Sequence, residues 1–195
     1  MRWTMREALI KRVLVDQIVS SRRKRILDLA CGTGTLPDML LRAAPEASIL
    51  GIDGDPEVLA LAQRKTDQTG MRVCFVRGLV QSLPFQNGSI DCVVSSFAFH
   101  HLDAESKSIA ATEAFRVLTP EGECWIADFG KPRGHLMSAI AFIMKSFEET
   151  EENFAGMLPS FLRQAGFERV EETWYVRTIF GPMAILQAGK SRLNH

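Results

Sequence analysis

The chain has 195 residues, enough for one domain with a sizeable core, and its 46% hydrophobic and 24% charged content is ordinary for a globular protein. Formal net charge is zero, which excludes a global electrostatic case for a nucleic-acid partner. No apolar run reaches the ~18 residues of a membrane span, and the basic start lacks a signal-peptide core, so a cytoplasmic location is expected.

Residues 5–20 set Ala8, Leu9, Val13, Val15, Ile18 and Val19 among charges and predict an amphipathic helix. Residues 1–25 carry eight basic side chains against two acidic ones, ending in Arg22-Arg23-Lys24-Arg25. A short apolar strand is expected over 25–30, closed by the turn Cys31-Gly32-Thr33-Gly34. A helix follows from Thr35 to Ala44, stopped by Pro45, and a buried strand over 47–52. Asp55-Pro56-Glu57 opens the next helix, because Asp55 can accept from free backbone N–H groups and Pro56 suits the first turn. Strands are then expected over Met71–Val76 and Ile90–Ser95, a helix capped by Asp103 and reaching Val117, and a fifth strand over Glu123–Asp128. Beyond it come an apolar helix from His135 to Phe147, an acidic stretch Glu148–Glu152, and a helix from Leu158 to Ala165 stopped at Gly166. Arg169–Thr178 and Met183–Ala188 read as strands joined through Phe180-Gly181-Pro182, a connection that suits an antiparallel hairpin.

Strands alternating with helices predict an α/β fold, a doubly wound and mostly parallel sheet with helices on both faces. In such sheets the ligand crevice lies beyond the carboxyl ends of the strands. The four cysteines are far apart without C-x-x-C spacing, so core packing is expected for them rather than a metal or a disulfide. No metal site is expected.

At the first strand end stands Asp28-Leu29-Ala30-Cys31-Gly32-Thr33-Gly34. Two glycines let backbone N–H groups approach a ligand. Pro37 occupies the place of the third glycine of a G-x-G-x-x-G dinucleotide loop, and Asp28 would repel a pyrophosphate but attract a cation. Asp53, at the end of the second strand, is placed to accept from ribose hydroxyls.

These residues resemble the class I S-adenosylmethionine-dependent methyltransferases. Ile26–Leu36 looks like that family's first motif, and Gly51-Ile52-Asp53 like its second-strand acid. The likeness continues through Leu83-Pro84-Phe85, Gly88–Asp91, Ser95–Leu102 and Glu113–Gly122, and is greatest toward the ubiquinone and menaquinone biosynthesis subgroup. The resemblance implies a Rossmann-like, seven-stranded sheet ending in an antiparallel hairpin, and S-adenosylmethionine as cofactor. It implies that Asp28 holds the donor's ammonium, that Gly32 and Gly34 let the loop pass beneath it, and that Asp53 accepts from the ribose. Ala30, Gly54, Leu79, Val80, Ser95 and Ser96 complete the expected donor site. The family's usual adenine-binding acid is missing, since Gly78-Leu79-Val80 stands there. His100, His101 and Asp128 are the candidate bases, with packed and hydrogen-bonded side chains as the alternative.

Residues 1–195 thus read as one methyltransferase domain, with an N-terminal helix over 1–22 that covers the donor and a lid or acceptor region over 133–157. The apolar residues of the lid helix, Leu136, Met137, Ile140, Ala141, Ile143, Met144 and Phe147, suit an apolar or quinone-like acceptor, a homodimer, peripheral membrane contact, or an ordinary core helix. A donor-binding scaffold without catalysis is the alternative function, motivated by Leu79 and by the lack of an unambiguous base.

Overall fold

The computed structural model describes residues 2–20, 23–69, 73–144 and 151–190. Its elements run α1 (Arg2–Val19), β1 (Arg25–Leu29), α2 (Thr35–Ala43), β2 (Ser48–Asp53), α3 (Pro56–Thr69), β3 (Cys74–Arg77), β4 (Ile90–Ser96) and α4 (Ala104–Val117), with a 3-10 turn at Phe99–His101. Then follow β5 (Leu118–Phe129), α5 (His135–Met144), α6 (Glu151–Ala155), α7 (Leu158–Gln164), β6 (Arg169–Thr178) and β7 (Gly181–Gly189).

Seven strands form one sheet in the order β3-β2-β1-β4-β5-β7-β6. The first five are parallel, and β7 inserts antiparallel between β5 and β6. The order reverses between β1 and β4, so the loops after these two strands diverge and leave a crevice at their carboxyl ends.

Side chains alternate across each strand, and the two faces hold separate cores. Leu27, Leu29, Val93 and Ile126 pack with α4 and α7 through Ala110, Ala114, Leu158 and Leu162. Ile26, Ile49, Val94 and Ala127 pack on the other face with α1 and α2 through Ile10, Leu14, Leu36 and Leu40. Asp28 shares the face of Ile26, which puts it beneath α1. Removing a fully buried leucine such as Leu29 would cost about 2–5 kcal/mol.

Most elements lie where the sequence puts them, and both helix-opening acids act as caps. Asp55 Oδ1 accepts from Glu57 N at 2.8 Å and from Val58 N at 3.3 Å, and Asp103 Oδ1 accepts from Ser106 N at 2.7 Å. Most boundaries shift by one or two residues, and two of the differences are instructive. Met71 and Arg72 lie outside the described residues, and β3 ends one residue later than expected, at Arg77. β5 starts at Leu118 rather than Glu123 and takes in Pro120. Proline is tolerated there because the ladder to β4 shifts register between Ile90 and Cys92, so its missing N–H costs no regular pairing. Within the lid region, residues 145–150, including Phe147, lie outside the described residues. The acidic stretch ends in a helix: Glu151 and Glu152 form the first turn of α6, where negative charge suits the helix dipole.

One ion pair ties α6 to the body of the protein. Lys107 of α4 is fully buried, and its Nζ donates to Glu152 Oε2 at 2.7 Å. The same bond holds the Glu152 carboxyl below its usual range. Glu152→Ala is expected to lower unfolding free energy by about 2–4 kcal/mol, because a buried ammonium loses this carboxylate. The depressed acid also means that this contribution is present at neutral pH and lost as the pH falls through the acid range. Thermal unfolding at pH 7 checks it, and an unchanged midpoint would refute the anchoring role.

Candidate active site

The ends of β1, β2 and β4 converge at the crevice. Asp53, half-buried, accepts from Gly32 N at 2.9 Å through Oδ2 and from Asp55 N at 3.0 Å through Oδ1. It therefore ties the loop after β1 to the end of β2, and each oxygen retains lone-pair capacity for a ligand hydroxyl. Gly32 has φ +54°, and a β-carbon there would meet nothing within 4 Å, so this backbone faces open space. Gly34 differs: at φ +70° its β-carbon would stand 3.0 Å from Ala62 Cβ and 3.0 Å from Phe75 Cζ. The first glycine leaves room for a ligand, whereas the second is required by its backbone conformation and by packing against α3 and β3.

Among the described residues two that are not glycine are also left-handed, Ala30 at φ 52° and Phe97 at φ 57°. They follow β1 and β4 at the point where those strands part. Such conformations cost about 1–3 kcal/mol each and persist where surrounding structure enforces them. At Phe97 the enforcement is visible, because its N–H donates to Ala127 O at 2.9 Å. Ser95 is buried with its hydroxyl donating to Leu29 O at 3.2 Å, so it joins the two strands, while Ser96 is half-exposed at the crevice.

Asp28 is the most unusual group in the site. It is buried, and its Oδ1 has no hydrogen-bond partner. Burial pushes its carboxyl up to about 8; the Lys11 cation opposes this and the Asp53 charge adds to it. Lys11 comes from α1, is nearly buried, pairs with Glu7 Oε1 at 2.6 Å and stands 6.0 Å from the centre of the Phe97 ring. The sequence presents Lys11 only as a break in an apolar stretch; its proximity to Asp28 arises because α1 folds over β1. An unpartnered buried carboxyl beside an open glycine fits the ammonium end of S-adenosylmethionine, and Asp53 fits its ribose.

A linked proton follows from this. A ligand ammonium favours the carboxylate, so binding below pH 8 must release the proton that Asp28 holds in the free protein. The affinity for S-adenosylhomocysteine is expected to rise as the pH is raised toward 8, by up to about tenfold per unit. At pH 7, titration calorimetry in buffers of different ionisation enthalpy should show about one proton released, and Asp28→Asn should abolish the release. Binding without proton release in the native protein would refute this role.

At the expected adenine end Leu79 is 62% exposed. Its Cδ2 would lie 3.1 Å from a β-carbon at Gly54, so it packs beside the end of β2 as the register requires. Val80 is buried in the core below it. The loop that carries these residues is pinned by α4. Arg116 donates to Leu83 O, Phe85 O and Asn87 Oδ1 at 2.8–2.9 Å, and Glu113 Oε2 accepts from Leu83 N at 2.7 Å. This explains why Leu83-Pro84-Phe85 and Glu113–Arg116 occur together in one chain.

The three candidate bases separate. His100 is buried and His101 exposed, with ring centres 3.9 Å apart. His100 Nδ1 lies 2.9 Å from Asp128 Oδ1, and its ring meets the Phe129 ring edge-on at 5.0 Å. A carboxylate can only accept, so Nδ1 carries the hydrogen, and in the neutral ring Nε2 bears the lone pair. Asp128 Oδ1 also receives Phe129 N at 2.7 Å and Asn153 Nδ2 at 3.2 Å, while Oδ2 receives His100 N at 3.3 Å. With four donors Asp128 holds its neighbours in place. Asn153, on the short helix α6, had no sequence signal to single it out.

Beside Asp128 lies a cavity of about 200 Å³, lined by β5, β7 and the α6–α7 segment. Within the expected lid or acceptor region, Arg133, Asn153 and Gly156 line this cavity, and no described residue of α5 is among its lining. α5 buries Met137 and Ala141 but exposes Leu136 (71%), Phe142 (78%) and Ile143 (61%), and its Ala141 and Phe142 line a separate, more open groove with Phe154. Among the described residues no cluster of three or more His, Cys, Asp or Glu could hold a metal ion. The cysteines are free; Cys31, Cys92 and Cys124 are buried, with the Cys124 thiol pushed up to about 12 by burial, and Cys74 is exposed. No described helix is long and apolar enough to cross a membrane.

This sheet order, with an acid ending each of its first two strands and a hairpin completing it, defines the class of S-adenosylmethionine-dependent methyltransferase folds. Residues 26–122 match a family model described as a methyltransferase domain. The chain is 38% identical over 122 residues to the demethylmenaquinone methyltransferase of Thermus thermophilus, covering 63% of this chain and 54% of that one. It is 31% identical over 125 residues to a ubiquinone/menaquinone biosynthesis C-methyltransferase of Photorhabdus laumondii, covering 63% and 49%. The fold is shared with the magnesium protoporphyrin IX methyltransferase of Synechocystis PCC 6803, solved with bound SAH, at a TM-score of 0.73 and 19% identity, over 95% of this chain and 84% of that one. The chain belongs to the class I S-adenosylmethionine-dependent methyltransferases and is related to their quinone-biosynthesis subgroup. Its matched segment spans about half the length of the two quinone-pathway relatives.

Proposed function

We propose that this protein transfers a methyl group from S-adenosylmethionine to a small, apolar or quinone-like acceptor. The supporting observation is the convergence at one crevice of the unpartnered Asp28 carboxyl, the open Gly32 backbone and Asp53, with the His100–Asp128 pair on the adjoining strand ends. When bound, the donor supplies an electrophilic methyl group on a sulfonium. Asp28 would hold its ammonium, Asp53 its ribose hydroxyls, and Leu79 would pack on the adenine. His100, with its hydrogen fixed on Nδ1 by Asp128, would take the acceptor's proton at Nε2. Positioning supplies much of the barrier reduction in such a substitution. The quinone-pathway relatives support the acceptor class.

Titration calorimetry with S-adenosylhomocysteine, followed by transfer of a labelled methyl group to a panel of hydroxylated aromatics, tests the reading. Donor-product binding together with labelled product is the expected result. Tight binding without product on any acceptor would favour the scaffold reading instead, and no binding would refute both. The exposed apolar side chains of α5 support a contact with a second copy or with lipid; a monomeric mass by light scattering, with no binding to anionic vesicles, would remove that proposal.

A further inference from the structure

The amino-acid end of S-adenosylmethionine carries a carboxylate as well as an ammonium, and the strand-end loops offer that carboxylate no cation. Residues 30–34, 53–55 and 95–99 contain no lysine or arginine, while Asp28, Asp53 and Asp55 are all acids. A ligand carboxylate entering this acidic crevice without a cation would be strongly disfavoured. The cation comes instead from α1. Lys11 is 9% exposed and stands 6.0 Å from the centre of the Phe97 ring, at the end of β4. It is also near enough to Asp28 for its charge to oppose the rise of that carboxyl. Its pairing with Glu7 does not account for this burial, because an i,i+4 ion pair forms as well in solvent and the Glu7 side chain is 32% exposed. The Glu7 bond uses one of the three N–H donors of the ammonium and leaves two. The unpartnered Asp28 Oδ1 and the Lys11 ammonium therefore present one anion and one cation to a ligand group that carries one of each.

Resting on the methyltransferase reading, we propose that Lys11 is a specificity-determining residue of the donor site, its ammonium taking the ligand carboxylate while Asp28 takes the ligand ammonium. A charge-assisted bond from a nearly buried ammonium discriminates strongly, since a ligand lacking the carboxylate leaves Lys11 facing the ligand's own positive charge with nothing between them.

The probes are S-adenosylhomocysteine and its decarboxylated counterpart, 5′-deoxy-5′-(3-aminopropylthio)adenosine, which keeps the ammonium, ribose and adenine and lacks the carboxylate. Each is titrated calorimetrically into the full chain at pH 8. The native protein is expected to bind S-adenosylhomocysteine at least about tenfold more tightly. Lys11→Met, which keeps an unbranched apolar stem, should bring the two affinities within about twofold of each other. Any change in the ionisation of Asp28 weakens both ligands alike, because both carry the ammonium, so the ratio isolates the carboxylate. If that variant does not fold, Lys11→Gln carries the same expectation. Equal affinities in the native protein, or a folded variant that keeps the native preference, would each overturn the proposal while the donor site stands. Failure of the native protein to bind S-adenosylhomocysteine would overturn the functional reading, and this proposal with it.

Discussion

Asp53→Ala is expected to weaken S-adenosylhomocysteine binding by about 100-fold or more. Two charge-assisted hydrogen bonds to the ribose are each worth about 1.5–3 kcal/mol, and losing about 3 kcal/mol in total corresponds to a factor of ~100 in affinity. The substitution also frees Gly32 N and Asp55 N from their shared partner, so the loop after β1 loses its tie to β2. Both effects act in the same direction. Asp53 is half-buried and lies at a strand end, so the sheet itself should survive with its circular dichroism unchanged. An unchanged dissociation constant in a folded variant would sink the donor assignment.

Asp128→Asn is expected to lower kcat by about 10²–10⁴-fold on whichever hydroxylated aromatic is turned over, with S-adenosylhomocysteine affinity nearly unchanged. The carboxylate accepts four hydrogen bonds here, and an amide cannot match them, because its nitrogen would face donors. The His100 ring would then be free to reverse its tautomer, placing the hydrogen on Nε2 where the lone pair is needed; comparable carboxylate-to-amide changes beside a catalytic histidine cost ~10⁴-fold. Stability should also fall, by about 1–3 kcal/mol. A merely structural role would predict the stability loss alone. The pH profile separates the two, since a base role predicts that the acidic limb of kcat moves or disappears in the variant. Full kcat in a destabilised protein would remove His100 and Asp128 from the chemistry.

Much of the sheet was legible from the chain. The run Ile26–Leu29 is apolar on both faces, as a central parallel strand must be, and Asp28 interrupts it as a charged residue that only a ligand or an ion pair would explain. Gly32 and Gly34 were legible as a turn but not as two different things: open space at one and the Ala62–Phe75 wall at the other depend on α3 and β3, 28 and 41 residues beyond Gly34. The start of β5 was misplaced because Pro120 reads as a helix stop, which it is, while the irregular ladder that lets it join a strand is a property of the pairing with β4. The hydrophobicity of α5 does not by itself say which surface the helix covers; the structure buries Met137 and Ala141 and leaves Phe142 78% exposed.

By itself the sequence determined the fold class, the order of elements and the two strand-end acids, because periodicity, caps and turn residues are local in the chain. Only the tertiary structure decided how the acids and the histidines are used. Lys11, 17 positions earlier in the chain, lies near enough for its charge to act on Asp28, against the burial that raises the Asp28 carboxyl. His100, Asp128 and Asn153 come from three separate elements: the 3-10 turn brings His100 to Asp128, and α6, tied to α4 by the Lys107–Glu152 pair, brings Asn153. Such a constellation has no spacing to read, since it is set by which face of the sheet each element covers.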